Sequence, residues 1–312
     1  MKSLHIFVIG LILSLTAGDL LSKQDGDPVS IGTYRVIHSD ILKEKRTLLV
    51  HLPRDYKKNQ EKHYPVLYLL YGNHTTTYFA ETVSILQVLG NNGDIPEMIL
   101  VGIENTDRYR DLLPKTRTGK ETGIENFIGF LRNELFPWVD KHYRTEPYKL
   151  IMGPQAGSNF VFYTLFKYPN LFNGGIGQNP FRWSSGRAFI IDLAKKKLNG
   201  EADFKQTLYF TCNDNDGLER KGSNVMAEFE SFLKKNKQPA FHFQVNYIRN
   251  WTEFLAPFDL RRGLKFLFRN YKLKMDQNFR GLPDIKKHFS RLSKELGYRV
   301  KIPEHILTHA YD

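Results

Sequence analysis

A chain of 312 residues with 41% apolar and 13% aromatic residues can bury a substantial core, which excludes an intrinsically disordered protein. The formal net charge is +12, and a single cysteine, Cys212, excludes a disulfide within one chain. Length alone leaves open one large domain or two small ones.

The first residues, MKSLHIFVIGLILSLTAG, place a lysine before an apolar run and a group of small residues. This is the pattern of a secretory signal peptide, with cleavage expected after Gly18 or Ser22. A membrane anchor is the alternative, but it needs roughly 18 or more apolar residues, and the run from Ile6 to Leu15 is shorter. We therefore expect residues 1–22 to be removed, no transmembrane segment after cleavage, and a periplasmic or secreted protein.

The chain then alternates between strand and helix patterns. Two stretches of alternating polarity, Thr33–His38 and Arg46–His51, predict an antiparallel hairpin. Nearly continuous apolar runs predict strands buried on both faces of a parallel sheet; they read YPVLYLLYG, EMILVGIEN, YKLIMG, TLYFTCND and AFHFQVNYI. Predicted helices between them are Thr82–Asn91, IENFIGFLRNELFPWVDKHY, Ser158–Tyr168 and VMAEFESFLKKN. This order predicts one doubly wound α/β domain over residues 30–272.

Residues 273–312 are predicted to form a short, basic helical extension. Within it, LPDIKKHFSRLSKELG carries Ile285, Phe289, Leu292 and Leu296 on one helical face. Between Arg261 and Lys301 there are 13 Lys or Arg residues against three acidic ones. Two interpretations follow: a solvated helix face, or a segment that binds polyanions through charge, without specific nucleic-acid recognition.

Several ordered motifs resemble one known family. They are YPVLYLLYG, IPEMILVGIENTDRYRDLLP, FLRNELFPWVDKHYRTEPYKLIMG, YPNLFN and GLKFLF. Over about residues 30 to 300 the chain resembles the putative esterase family of α/β-hydrolases, which includes siderophore esterases and relatives of S-formylglutathione hydrolase and feruloyl esterases. The resemblance implies an α/β-hydrolase fold, a Ser–acid–His triad, a backbone oxyanion hole, and neither metal nor cofactor.

The nucleophile position of that family falls on Gln155, in a G-x-Q-x-G turn where hydrolases carry serine. A glutamine amide has no proton that a histidine usefully removes, so it forms no acyl intermediate. Ser158 lies one residue past the turn, and Ser184 and Ser185 have no such turn around them. We expect none of these hydroxyl groups to replace the missing nucleophile.

The other two triad positions differ in what they retain. The acid position falls on the loop NDND, where Asp214 or Asp216 still supplies a carboxylate. The histidine position falls in RNWTEFLAPF, where Asn250 or Thr252 stands and no histidine occurs. Since the serine and the histidine that exchange a proton are both missing, the sequence predicts loss of triad hydrolysis.

The polar groups that remain predict a ligand cleft with backbone donors near the turn and aromatic walls. Its expected ligand-binding residues are Gly72, Asn73, His74, Gln155, Ala156 and Trp183; the alternative for the aromatic residues is a place in the core. No metal is expected, because metal-binding spacings such as H-x-x-x-H are missing.

Three functions follow as hypotheses. The leading one is an inactive pseudo-esterase that acts as a scaffold or binds a small ester-like or sugar-like molecule. The second is a weak hydrolase that activates water unusually, with Asp214 or Asp216 as base. The third is a polyanion-binding protein that acts through the basic tail.

Overall fold

The computed structural model describes residues 29–70, 75–116, 118–180, 187–200, 203–213, 225–248, 256–275, 279–303 and 306–307. The chain divides into two compact units, Met1–Ser30 and Ile31–Asp312. The predicted signal peptide lies outside the described residues, and everything reported below belongs to the second unit. Residues 273–312, predicted as an extension, are part of that same unit.

The centre of the fold is a sheet that has eight strands among the described residues. They are β1 (Thr33–Ser39), β2 (Glu44–His51), β3 (Tyr64–Leu70), β4 (Ile99–Ile103), β5 (Thr145–Pro154), β6 (Gly174–Gln178), β7 (Gln206–Asn213) and β8 (Phe241–Ile248). Their spatial order is β1-β2-β4-β3-β5-β6-β7-β8. β1 and β2 form the predicted antiparallel hairpin, and β2 is antiparallel to β4. The remaining pairs are parallel, so the carboxyl ends of β3 to β8 share one edge.

Helices cover both faces of this sheet. They are α1 (Thr75–Asn91), α2 (Arg108–Leu112), α3 (Ile124–Phe130), α4 (Phe136–His142), α5 (Ala156–Lys167), α6 (Arg187–Gly200), α7 (Val225–Lys235), α8 (Ala256–Leu267) and α9 (Leu282–Leu296). A π-helical turn, Leu131–Leu135, joins α3 to α4. In the part of the chain that the structure describes, no helix has the length and apolar content to cross a bilayer.

Alternate residues of β3 enter two separate hydrophobic clusters. Val66, Tyr68 and Leu70 pack in the cluster that includes α3 to α7. Leu67 and Leu69 pack in the cluster that includes α1 and α8. Every residue of β3 is buried, which explains why its sequence is continuously apolar and confirms the predicted doubly wound α/β arrangement.

The strand β6 was not predicted, because GGIGQ contains three glycines and only one large apolar residue. Packing explains these glycines. A Cβ at Gly175 would lie 2.6 Å from Cγ1 of Val161, and one at Gly177 would lie 2.5 Å from Oγ of Ser158. Helix α5 therefore packs directly on the bare backbone of β6.

The tail helix α9 packs on the α/β sheet domain. Its predicted apolar face is confirmed, since Ile285, Phe289, Leu292 and Leu296 are all buried. Leu296 belongs to the same hydrophobic cluster as α1 and α8. The helix stops at Gly297, whose left-handed φ of 75° suits glycine.

Candidate functional site

The β5 strand passes into α5 through a sharp turn whose apex is Gln155. Its backbone angles are φ 49° and ψ −113°, a combination that residues with a side chain rarely adopt. Ala156 begins α5 directly after it. This strained strand-to-helix turn is the form in which α/β-hydrolases expose their nucleophile. The predicted turn is thus present, with a glutamine at its apex.

Two glycines make the turn sterically feasible. A Cβ at Gly153 would lie 2.5 Å from the carbonyl oxygen of Gly157, so the strand and the helix approach too closely for any side chain at position 153. A Cβ at Gly157 would lie 3.2 Å from the carbonyl oxygen of Leu70. The glycines of the G-x-Q-x-G pattern therefore set the tightness of the turn and its distance from β3.

Main-chain hydrogen bonds hold the apex from both sides. The N–H of Gln155 donates to the carbonyl oxygen of Gln178 at 2.8 Å, and its own carbonyl oxygen accepts from the N–H of Ser158 at 3.0 Å. Asn179, with φ 55°, donates its N–H to the carbonyl oxygen of Thr211 at 2.9 Å. The carboxyl ends of β5, β6 and β7 are therefore tied together at the turn.

The hydroxyl group of Ser158 faces the sheet. Ser158 is fully buried, and its Oγ lies against the backbone of Gly177 in β6. Among the described residues, this oxygen has no hydrogen-bond partner. A hydroxyl group in this position is inaccessible to an ester, which agrees with the prediction that Ser158 does not replace the nucleophile.

Most of the other predicted site positions fall outside the described residues: Gly72, Asn73, His74, Trp183, Asp214, Asp216, Asn250 and Thr252. Along the chain, each of them follows the carboxyl end of β3, β6, β7 or β8. Those strand ends share the sheet edge at which Gln155 lies, and ligands of open α/β sheets bind at this edge. The described ranges contain no group of three or more His, Cys, Asp or Glu residues that could hold a metal ion.

A buried polar row next to the turn was not predicted. Strand register aligns Pro154, Gln178, Thr211 and Asn246 across β5, β6, β7 and β8. Gln178 and Thr211 are fully buried. Helix α8 adds Asp259, which is 1% exposed and whose Oδ1 accepts from Nδ2 of Asn246 at 3.0 Å. Polar groups thus extend from the turn to the first turn of α8, the helix that follows the predicted histidine position.

Asp259 is the titratable member of this row. Burial raises the pKa of Asp259 to about 6, against the hydrogen bond from Asn246 and the charge of Arg262, whose guanidinium nitrogen lies 3.9 Å away. Its Oδ2 has no hydrogen-bond partner within the described part of the chain. The sequence offered no signal for it, because an acidic residue in the first turn of an amphipathic helix is ordinary.

A buried charge network fixes the segment that follows β4. Arg46 on β2 is fully buried and donates to Oδ2 of Asp111 at 2.7 Å. Arg110 donates to the other oxygen of Asp111 at 2.8 Å and to Glu44 at 2.7 Å. The guanidinium carbon of Arg46 lies 5.4 Å from the ring centre of Phe127. The network joins β2, α2 and α3 beside the carboxyl end of β4.

Comparison with known proteins identifies the family. A family model described as "Putative esterase" matches residues 39–190. The ferri-bacillibactin esterase BesA of Bacillus subtilis (strain 168) is 27% identical over 169 residues, which cover 47% of this chain and 58% of BesA. The chain belongs to the putative esterase family. The matched range of this esterase-family chain includes the turn at Gln155 and ends before β7.

Solved structures place the esterase-family chain in the α/β-hydrolase fold. An IroE-like serine hydrolase from Shewanella oneidensis superposes with a TM-score of 0.75 at 24% identity, covering 89% of this chain and 92% of that one. The siderophore hydrolase EstA of Aspergillus nidulans superposes with a TM-score of 0.64 at 15% identity, covering 80% and 99%. At these identities the likeness shows the fold alone. The chain spans little more than half the length of BesA, so the substrate in that name is stated of BesA only.

Proposed function

We propose that this esterase-family chain binds a small molecule at the β5–α5 turn without hydrolysing it. The observation that carries the proposal is Gln155 at the strained apex, where a hydrolase presents its serine. An amide is a poor nucleophile at any pH at which the protein folds, because it has no ionisable hydroxyl group that a base could activate.

The turn keeps the features that bind oxygen-rich ligands. Helix α5 begins at Ala156, and the first N–H groups of a helix have no partner within the helix. They form a ready site for a carbonyl oxygen or an anion. The amide of Gln155 adds donors and an acceptor. A residue that stays in a conformation costing of order 1–3 kcal/mol is more readily explained by a retained contact than by none.

The ligand class proposed is a small ester-like or sugar-like molecule, and a siderophore ester is the first of this class to test. BesA is a ferri-bacillibactin esterase by name, and EstA is a siderophore hydrolase. Such ligands carry carbonyl oxygens that fit the donors at the start of α5. Binding without cleavage would sequester the ligand rather than release iron from it.

Binding and turnover are measured separately on the same protein. Ferri-bacillibactin binding is followed by quenching of intrinsic fluorescence, and turnover by release of nitrophenol from nitrophenyl acetate. Gln155→Ala is expected to weaken binding by about three- to tenfold, the value of one hydrogen bond. Gln87→Ala, an exposed glutamine of α1, is the matched control and should leave binding unchanged. Neither the wild type nor either variant should release nitrophenol above a heat-denatured control.

Three outcomes would contradict the proposal. Saturable hydrolysis that Gln155→Ala removes would show that the turn is catalytic. Hydrolysis that survives Gln155→Ala but falls in the double variant Asp214→Asn/Asp216→Asn would favour the weak hydrolase with a carboxylate base. Equal binding by Gln155→Ala and the wild type would place the ligand elsewhere.

Export is part of the proposal, because the chain starts with a lysine, an apolar run and small residues. Cell fractionation and intact mass measurement test it. We expect the mature protein outside the cytoplasm, beginning after Gly18 or Ser22. A full-length chain recovered from the cytoplasm would contradict export.

A further inference from the structure

A concave, strongly basic groove lies between α9 and the segment that follows α8. It encloses about 700 Å³. The segment contributes Arg269, Lys272 and Lys274 to its lining. Helix α9 contributes Lys287, Arg291 and Lys294. Against these six cations stands one lining carboxylate, that of Asp284, so the formal excess is five positive charges.

The cations from α9 form a fixed row. Lys287, Arg291 and Lys294 are spaced four and three residues apart, which places them on one face of the helix. At 1.5 Å per residue the row is about 10 Å long. The helix itself is anchored, because its apolar residues, among them Phe289 and Leu292, are buried. The charges are therefore presented by a rigid element.

Most of this charge is not neutralised within the described residues. The single lining carboxylate, Asp284, accepts from Arg280 at 2.9 Å, and Arg280 is not part of the lining. Lys272 is paired with Asp94 at 2.7 Å. The other five lining cations, over the ranges that the structure describes, form no ion pair; they are Arg269, Lys274, Lys287, Arg291 and Lys294.

We propose that this groove binds a soluble anion that carries two or more closely spaced phosphate groups. Arginine binds phosphate through two parallel hydrogen bonds and lysine through its point charge, and the groove offers both. Several unpaired cations in one concavity repel each other, and a ligand with several negative charges relieves this repulsion better than a single carboxylate does. A bilayer surface is flat and does not follow a concave groove, which favours a soluble ligand.

This site is independent of the proposed function at Gln155. The groove shares no lining residue with the β5–α5 turn. A failure of ligand binding at the turn would leave the groove untouched, and the reverse also holds.

The experiment titrates the full mature chain with inorganic tripolyphosphate by calorimetry at several salt concentrations. The variant Lys287→Gln/Arg291→Gln/Lys294→Gln removes the α9 row. The matched control, Lys57→Gln/Lys58→Gln/Lys120→Gln, removes the same charge from exposed positions outside the groove. We expect the groove variant to lose about tenfold or more in affinity, the control less than about twofold, and the wild-type affinity to fall steeply with salt.

Circular dichroism melting checks that both variants fold, which is expected since the replaced side chains are exposed. Wild-type protein that does not bind tripolyphosphate would overturn the proposal. Equal losses in the groove variant and the control would overturn it too, because binding would then depend on net charge alone. Phosphatidylglycerol vesicles form the other arm: binding to vesicles that the groove variant loses, without tripolyphosphate binding, would assign the groove to a membrane surface instead.

Discussion

The backbone N–H of Gln155 donates to the carbonyl oxygen of Gln178 at 2.8 Å, so the apex of the turn is held by the neighbouring strand β6. This hydrogen bond joins main-chain atoms and does not depend on the side chain at position 155. Substitutions at the apex should therefore keep the turn and report on strain and chemistry directly.

Gln155→Gly is expected to stabilise the protein by about 1 kcal/mol, because glycine adopts a positive φ without steric cost. The φ of Gln155 is 49°. Ala156→Gly, one residue later in the first turn of α5, should instead cost about 0.5–1 kcal/mol. Urea unfolding of both variants measures the difference. If both variants lose stability equally, contacts of the Gln155 side chain outweigh the backbone strain.

Gln155→Ser alone is expected to give no esterase activity, since a serine without an imidazole remains a weak nucleophile. His242 cannot assist. It pairs with Thr207 near the amino end of β7, at the opposite edge of the sheet from the turn. A second change that introduces histidine at Asn250 or Thr252 should raise nitrophenyl acetate hydrolysis above that of the single variant. Full activity in the single variant would show that another histidine, such as His74, serves the site.

Gly177→Ala is expected to destabilise the fold by about 1–3 kcal/mol, because the new Cβ would collide with packed atoms of α5. That Cβ would lie 2.5 Å from Oγ of Ser158. Gly200→Ala is the control: it lies in α6, and its Cβ would meet nothing within 4 Å. Thermal unfolding should separate the two. A Gly177→Ala protein as stable as Gly200→Ala would mean that α5 shifts freely over β6.

Asp259→Asn is expected to flatten part of the pH dependence of stability. The pKa of Asp259 is raised by burial from 3.8 to about 6, so the folded protein binds this proton more tightly than the unfolded chain does. Its contribution is therefore fully present below the unfolded value and is lost as pH rises through about 6. Relative to wild type, the asparagine variant should gain about 1 kcal/mol between about pH 5 and pH 8. Parallel stability curves for the two proteins would show that Asp259 titrates normally.

Asp111→Ala is expected to cost about 3–5 kcal/mol, because it leaves the fully buried Arg46 without its partner. The comparison is Glu121→Ala, which removes the ion pair of Lys115 with a glutamate whose side chain is 77% exposed. That change should cost less than about 1 kcal/mol. Denaturant titration of both variants measures the two losses. A mild effect of Asp111→Ala would mean that Glu44 or water replaces the lost carboxylate.

The parts of the fold that the sequence predicted are those in which burial leaves a periodic pattern. β3 lies between two hydrophobic clusters and reads as one apolar run, and α9 covers the sheet domain with one apolar face. The G-x-Q-x-G pattern predicted the turn because its glycines are sterically required. Helix α1 was predicted to begin at Thr82 but begins at Thr75, since a run of threonines favours no helix on its own.

The parts that the sequence did not predict depend on contacts between distant segments. β6 is a strand because α5 needs a flat backbone beneath it, and glycine has low strand propensity. The row from Gln178 to Asp259 is buried only because α8 covers β7 and β8, so its members resemble ordinary surface residues in the sequence. No local pattern records either relationship.

The docking of α9 has a consequence for how the chain folds during synthesis. Leu296 completes a cluster that contains Tyr148, and Lys272 contacts Asp94, 178 residues earlier. The ribosome delivers these late residues after the rest of the sheet domain has emerged, and such long-range contacts form slowly. Until α9 arrives, the nascent chain exposes apolar surface that attracts chaperones. Truncating the chain at residue 272 would leave that surface exposed permanently, so solubility should drop before any binding property changes.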